Sequence, residues 1–157
     1  MEKPEPRVIV RPPPPGVEAG IDEQMIRNVV HAFYARIRAD EMLGPIFSAH
    51  ITDWDPHLEK MCRFWSSVLL MTKSYDGKPV PAHLKVADAR GKSLGGEHFA
   101  HWLELFRATV RDLCAPAAAD LFIDRAERIA QSLQLSIDWQ HGRLPPIKAP
   151  IRSASAI

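Results

Sequence analysis

At 157 residues, with 46% hydrophobic residues and a formal net charge of +1, the chain has the size of one domain and the material for a packed core. Its Lys and Arg are scattered rather than blocked, which excludes the electrostatic footprint of a nucleic-acid or acidic-membrane binder. No apolar run approaches the ~18–20 residues of a membrane span. The proline-broken start carries no secretory leader pattern, so the expected setting is the cytoplasm.

Nine of the fourteen prolines lie at the two ends, Pro4, Pro6 and Pro12 to Pro15 on one side, Pro145, Pro146 and Pro150 on the other. Proline favours extended chain and resists helix. Residues 1–18 and 143–157 are therefore expected to be arms outside a body at 19–142. The Pro12–Pro15 run has the composition to dock in an aromatic groove, although a solvated tail explains it as well.

Between the arms the pattern is helical. Over residues 22–39, Ile26, Val30, Phe33 and Ile37 recur at spacings of four, three and four, which makes one apolar stripe. Asp22 is positioned to cap its start. Gly44-Pro45 then reads as a short connection, with Phe47 closing a tight turn. A second helix is expected over 53–72, with Thr52 as N-cap and Pro56 tolerated in the first turn, where amides lack intrahelical partners. Leu58, Met61, Trp65, Val68 and Leu69 form its expected buried face.

Residues 73–96 are looser: Tyr75-Asp76-Gly77 reads as a turn, Pro79 and Pro81 permit only a short helix, and Gly91, Gly95 and Gly96 interrupt the rest. Two more helices follow, over 97–114 with Phe99, Trp102, Leu103, Phe106 and Val110, and over 117–140 with Leu121, Phe122, Ala126, Ile129, Leu133 and Ile137. Nothing reads as a strand, so the expected fold is all-α, its helices packed around a common centre.

Cys62 and Cys114 stand far apart with no CxxC pair, and read as buried reduced thiols. The seven histidines show no HExxH and no Cys/His clustering, so no zinc site is expected. His57 and His83 differ from the others in sitting in apolar surroundings with most of a long helix between them. From His57 to Thr72 a helix climbs roughly 22 Å at 1.5 Å per residue, and the turn after it lets the chain fold back. Such a path can place one imidazole on each side of a flat cofactor such as haem, which needs a neutral imidazole on one face and an open position on the other. Spacing alone does not decide this; taken singly, either histidine reads first as a satisfied core or surface residue.

The order of motifs adds a second line of argument. Phe33-Tyr34-Ala35-Arg36-Ile37-Arg38-Ala39-Asp40 is followed by Leu43-Gly44-Pro45-Ile46-Phe47, then by His57 with Phe64-Trp65, by Pro81-Ala82-His83-Leu84, by Phe99-Ala100-His101-Trp102-Leu103-Glu104-Leu105-Phe106 and by Arg125-Ala126-Glu127-Arg128-Ile129-Ala130. Over residues 22–140 this series resembles the truncated haemoglobins, and within them the third subgroup, which lacks the paired-glycine motifs of the other two. The stretch Lys85–Glu97 is several residues longer than family members usually show, and both arms exceed the family core.

The resemblance implies a 2-on-2 helical sandwich around haem b (iron protoporphyrin IX). It makes His83 the proximal iron ligand, puts Tyr34, His57 and Trp102 around a bound gas, and sets Phe47 and Trp65 against the cofactor. The implied activity is reversible binding of O2, NO or CO. The alternatives are a nitric-oxide dioxygenase or a peroxidase, which would need an external reductase because the chain carries no flavin or nicotinamide domain, and a haemless helical interaction domain. Lys78, Lys85 and Arg63 are candidate contacts for the haem propionates, although solvated charge is the preferred reading of each.

Overall fold

The computed structural model describes residues 8–75, 77 and 94–142. His83, Lys78, Lys85, the Pro81–Leu84 motif and residues 143–157 lie outside the described residues. Among those described there is no strand, and six helices follow in order: α1 (Pro15–Glu18), α2 (Glu23–Ala39), α3 (Gly44–His50), α4 (Trp54–Leu69), α5 (Gly96–Leu113) and α6 (Pro116–Gln140). None is long and apolar enough to cross a membrane. The fold is all-α, the 2-on-2 helical sandwich: α2 packs on α4, α5 packs on α6, and α2 also packs on α5 to join the two pairs.

Each element starts or stops for a local reason. Asp22 caps α2, its carboxylate accepting from the Met25 amide at 2.8 Å, an arrangement typically worth about 1 kcal/mol. The α2 stripe expected from periodicity is the buried one, with Ile26, Val29, Val30, Phe33, Tyr34 and Ile37 all inside.

The expectation of a tight turn at Phe47 is corrected: residues Gly44–His50 form a helix. Proline just inside a helix start loses no bond and arrives with a helical φ, so Pro45 opens α3 rather than closing a connection. Asp40 prepares the entry, its Oδ2 accepting from the amides of Met42 at 3.1 Å and Leu43 at 2.8 Å. Its other oxygen pairs with His101 Nε2 at 2.7 Å, tying this corner to α5. Gly44 is needed for the close fit, since a Cβ there would lie 2.8 Å from the Arg38 carbonyl oxygen.

The N-cap of α4 is Asp53 rather than Thr52, and the helix ends at Leu69 rather than residue 72. Its buried face is also turned from the one expected. Cys62, Trp65, Ser66 and Leu69 are inside, while the expected Leu58, Met61 and Val68 are only partly buried. Burial pushes the Cys62 thiol above its ordinary pKa. Within the segment expected as an arm, the chain meets the body from Pro15 on: Gly16 is buried so closely on α4 that a Cβ would sit 2.5 Å from the Leu69 carbonyl oxygen.

Candidate functional site

A cavity of about 470 Å³ opens between the two helix pairs, within the size range of cofactor and ligand pockets. Tyr34 of α2, Ile46, Phe47 and His50 of α3, and His57, Lys60, Met61, Phe64 and Trp65 of α4 form one side. Leu94, His98, Phe99 and Trp102 around the start of α5, with Ile129, Ala130 and Leu133 of α6, form the other. Five residues named from sequence, Tyr34, Phe47, His57, Trp65 and Trp102, thus share this one cavity.

Aromatic packing fixes most of the wall. The Phe106 ring stacks on Trp65 at 5.2 Å and on Trp102 at 5.5 Å, with interplanar angles of 13° and 5°. Phe33 meets Trp102 and Phe106 edge-on at 5.3 and 5.1 Å. Each such pair adds about 0.5–1.5 kcal/mol beyond burial, so the two indoles are held rigidly. Tyr34 sits edge-on to His57 at 5.1 Å and to Phe47 at 6.0 Å, and Trp54 touches both Tyr34 and His57.

Two donors in this wall have no acceptor among the described residues. Tyr34 is only 6% exposed, and its hydroxyl makes no hydrogen bond among the described residues, nor does the Trp102 indole N–H. They do not bond to each other. Both side chains line the cavity, so an acceptor that arrives there with a ligand can take their hydrogen bonds. Burial first, and then the nearby Tyr75 phenol, raises the Tyr34 pKa above its ordinary value. It therefore stays a protonated donor at neutral pH.

The rest of the lining suits a large, flat, mostly apolar molecule bearing acid groups. Among the described residues no Asp or Glu lines the cavity, whereas Lys60, His50 and His98 do. These residues fit haem, whose ring is apolar and whose two propionates are anionic. Arg63, named from sequence for the propionates, is instead part of a separate polar pocket with Arg27, Glu59 and Cys62. Three histidines among the described residues, His50, His57 and His98, reach the cavity.

Lys60, Tyr75 and His98 escaped the sequence reading. For Lys60 a signal existed: Lys60, Met61 and Phe64 stand three, four and seven residues after His57, the positions that share a helix face. Arg63, six residues on, falls off that face. Tyr75 had none, because its placement depends on an irregular exit from α4. Met71 and Lys73 both take positive φ, 55° and 56°, an uncommon state for residues with a side chain. Thr72 Oγ1 holds the bend through Ser66 Oγ at 2.9 Å and Ser74 Oγ at 2.8 Å, and Tyr75 comes back onto Phe64 at 5.2 Å.

No protein-family model matches the sequence. The group 3 truncated hemoglobin ctb of Campylobacter jejuni is 30% identical over 118 residues, an alignment that covers 73% of this chain and 89% of that protein. The crystal structure of a group III truncated hemoglobin from Campylobacter jejuni superposes with a TM-score of 0.65 at 30% identity, covering 74% of this chain and 91% of the other. With sequence and fold both matching over nearly the whole of the relative, and a cavity between the two helix pairs whose lining fits haem, the chain belongs to the group 3 truncated haemoglobins, a globin family whose cofactor is haem.

Proposed function

We propose that the chain reversibly binds a diatomic gas, O2 in the first place and NO or CO as well, at haem b held by His83. The observation that carries this reading is the protonated hydroxyl of the buried Tyr34 side chain, which has no hydrogen-bond partner among the described residues and lines a cavity that otherwise suits a porphyrin. When bound, haem iron supplies an open coordination position and shifts negative charge onto the gas. The Tyr34 O–H and Trp102 N–H donate to that charge, and because they are not spent on each other both are available. Phe47 and Trp65 hold the ring by apolar contact, and Lys60 offers a cation to an acid group of haem. His57, half-buried in the first turn of α4 against Tyr34 and Trp54, gates entry of the gas.

Two strong donors favour tight capture over bulk delivery, in the cytoplasm, with an external reductase as the partner that returns oxidised iron to the ferrous state. Spectra of the purified ferrous protein, cycled between oxygenated and deoxygenated buffer, test the reading. The expected result is a Soret band that shifts with oxygen and returns when oxygen is removed, over repeated cycles. A colourless protein, or a haem spectrum blind to oxygen, overturns it. Sustained consumption of nitric oxide in the presence of a reductant would make the chain an enzyme instead.

A further inference from the structure

His98 belongs to the first turn of α5 and is 7% exposed, yet it lines the cavity. Its ring is oriented by its own helix start: Nδ1 accepts the Gly95 amide at 3.0 Å, while the His98 amide bonds back to the Gly95 carbonyl at 3.0 Å. An Nδ1 used as an acceptor leaves the proton of the neutral imidazole on Nε2. The ring is therefore not offering a lone pair to iron from that nitrogen. It offers an N–H. That N–H has no acceptor among the described residues, although the side chain is more than nine-tenths buried.

Among the described residues this part of the cavity is lined without a protein acceptor for that N–H. Its neighbours there, Leu94, Phe99, Ala130 and Leu133, are apolar, and among the described residues no carboxylate lines the cavity. Glu97, the acid of the same helical turn, is exposed and not part of the lining. The positive end of the 18-residue α5 dipole adds to the preference for an anion. The periphery of protohaem presents only one kind of oxygen acceptor, its two propionate carboxylates, and the gas site is already served by Tyr34 and Trp102.

We infer that His98 is a cofactor-binding residue whose Nε2–H, set by the Gly95 amide on Nδ1, donates to a propionate carboxylate of haem at the α5 end of the cavity. The inference rests on the haem reading above. It assigns the chain a propionate contact that Arg63, in its separate pocket, does not provide, and it makes the α5 start part of what orients the cofactor.

Two substitutions separate the donor from the cap. In His98→Asn the amide oxygen can still take the Gly95 N–H, but the donor no longer reaches the cavity. In His98→Gln the cap is lost and a longer amide N–H remains to reach it. The apoprotein of each variant is loaded with protohaem or with its dimethyl ester, which lacks the carboxylates, and haem loss to an excess of a second apoglobin is timed. His98→Asn is expected to release protohaem about tenfold faster than wild type and the diester at the wild-type rate. His98→Gln is expected to stay near wild type with both. Acceleration by the same factor with both haems, or by no factor with either, overturns the assignment while leaving the haem reading intact. A wild-type chain that takes up neither haem sinks that reading, and this inference with it.

Discussion

Replacing His83 with Gly is expected to release haem at least about a hundredfold faster than wild type, with imidazole added to the buffer restoring the wild-type absorption bands. The magnitude follows from comparison: changing only an outer partner of a metal ligand commonly costs 10–100-fold in affinity, so removing the ligand itself costs no less. The cavity makes the test sharp because His50, His57 and His98 also line it and stand ready as rival ligands. His98 has its Nδ1 occupied by the Gly95 amide and its proton on Nε2. His57 is packed edge-on against Tyr34 and Trp54, among the groups assigned to the gas. If His83→Gly keeps its haem and an unchanged spectrum, one of these three holds the iron, and the assignment of the two faces must be redrawn.

Tyr34→Phe is expected to raise the oxygen dissociation rate by roughly ten- to a hundredfold, measured by stopped-flow displacement of oxygen. A hydrogen bond to a charged group contributes about 1.5–3 kcal/mol, and about 1.4 kcal/mol is a factor of ten. Phe retains the ring that packs on Phe33, Phe47 and His57, so the substitution removes one hydroxyl and little else. Because that hydroxyl has no partner among the described residues, its loss should leave the stability of the apoprotein to urea unchanged or higher, up to about 1–3 kcal/mol. Function and stability then move in opposite directions, the signature of a residue kept for a ligand. Trp102→Phe removes the second donor, and because both side chains donate to the same gas, a double-mutant cycle is expected to show coupling between them. An off-rate unchanged in Tyr34→Phe removes the hydroxyl from the gas site.

What could be read from the sequence divides along physical lines. The α2 stripe and the Asp22 cap were legible because spacing of side chains on a helix is dictated by its pitch and because a cap is a local interaction. The aromatic wall was legible residue by residue, since Tyr34, Phe47, Trp65 and Trp102 do share the cavity. Helix α3 was misread because proline signals both a stop and a start, and the choice depended on Asp40 taking two amides ahead of it. The buried face of α4 was misjudged for a tertiary reason. Met61 and Phe64 open onto the cavity, while Cys62 and Ser66 take the interior places, Ser66 Oγ bonding to Glu23 at 2.5 Å. Tyr75 and His98 depended on a strained bend and on a side chain folded back on its own helix start, neither of which leaves a periodic mark.

The account stands on a haem seated between the α2–α4 and α5–α6 pairs, and titration of the apoprotein with haem tests this most directly. The chain exposes other apolar surface, at Val8, Ile9, Val10 and Trp139, to which haem can adhere without a site. Seating in the cavity predicts a Soret absorbance that rises in proportion to added haem and breaks sharply at one equivalent per chain. A shallow rise with no break, or a break at some other ratio, would contradict it.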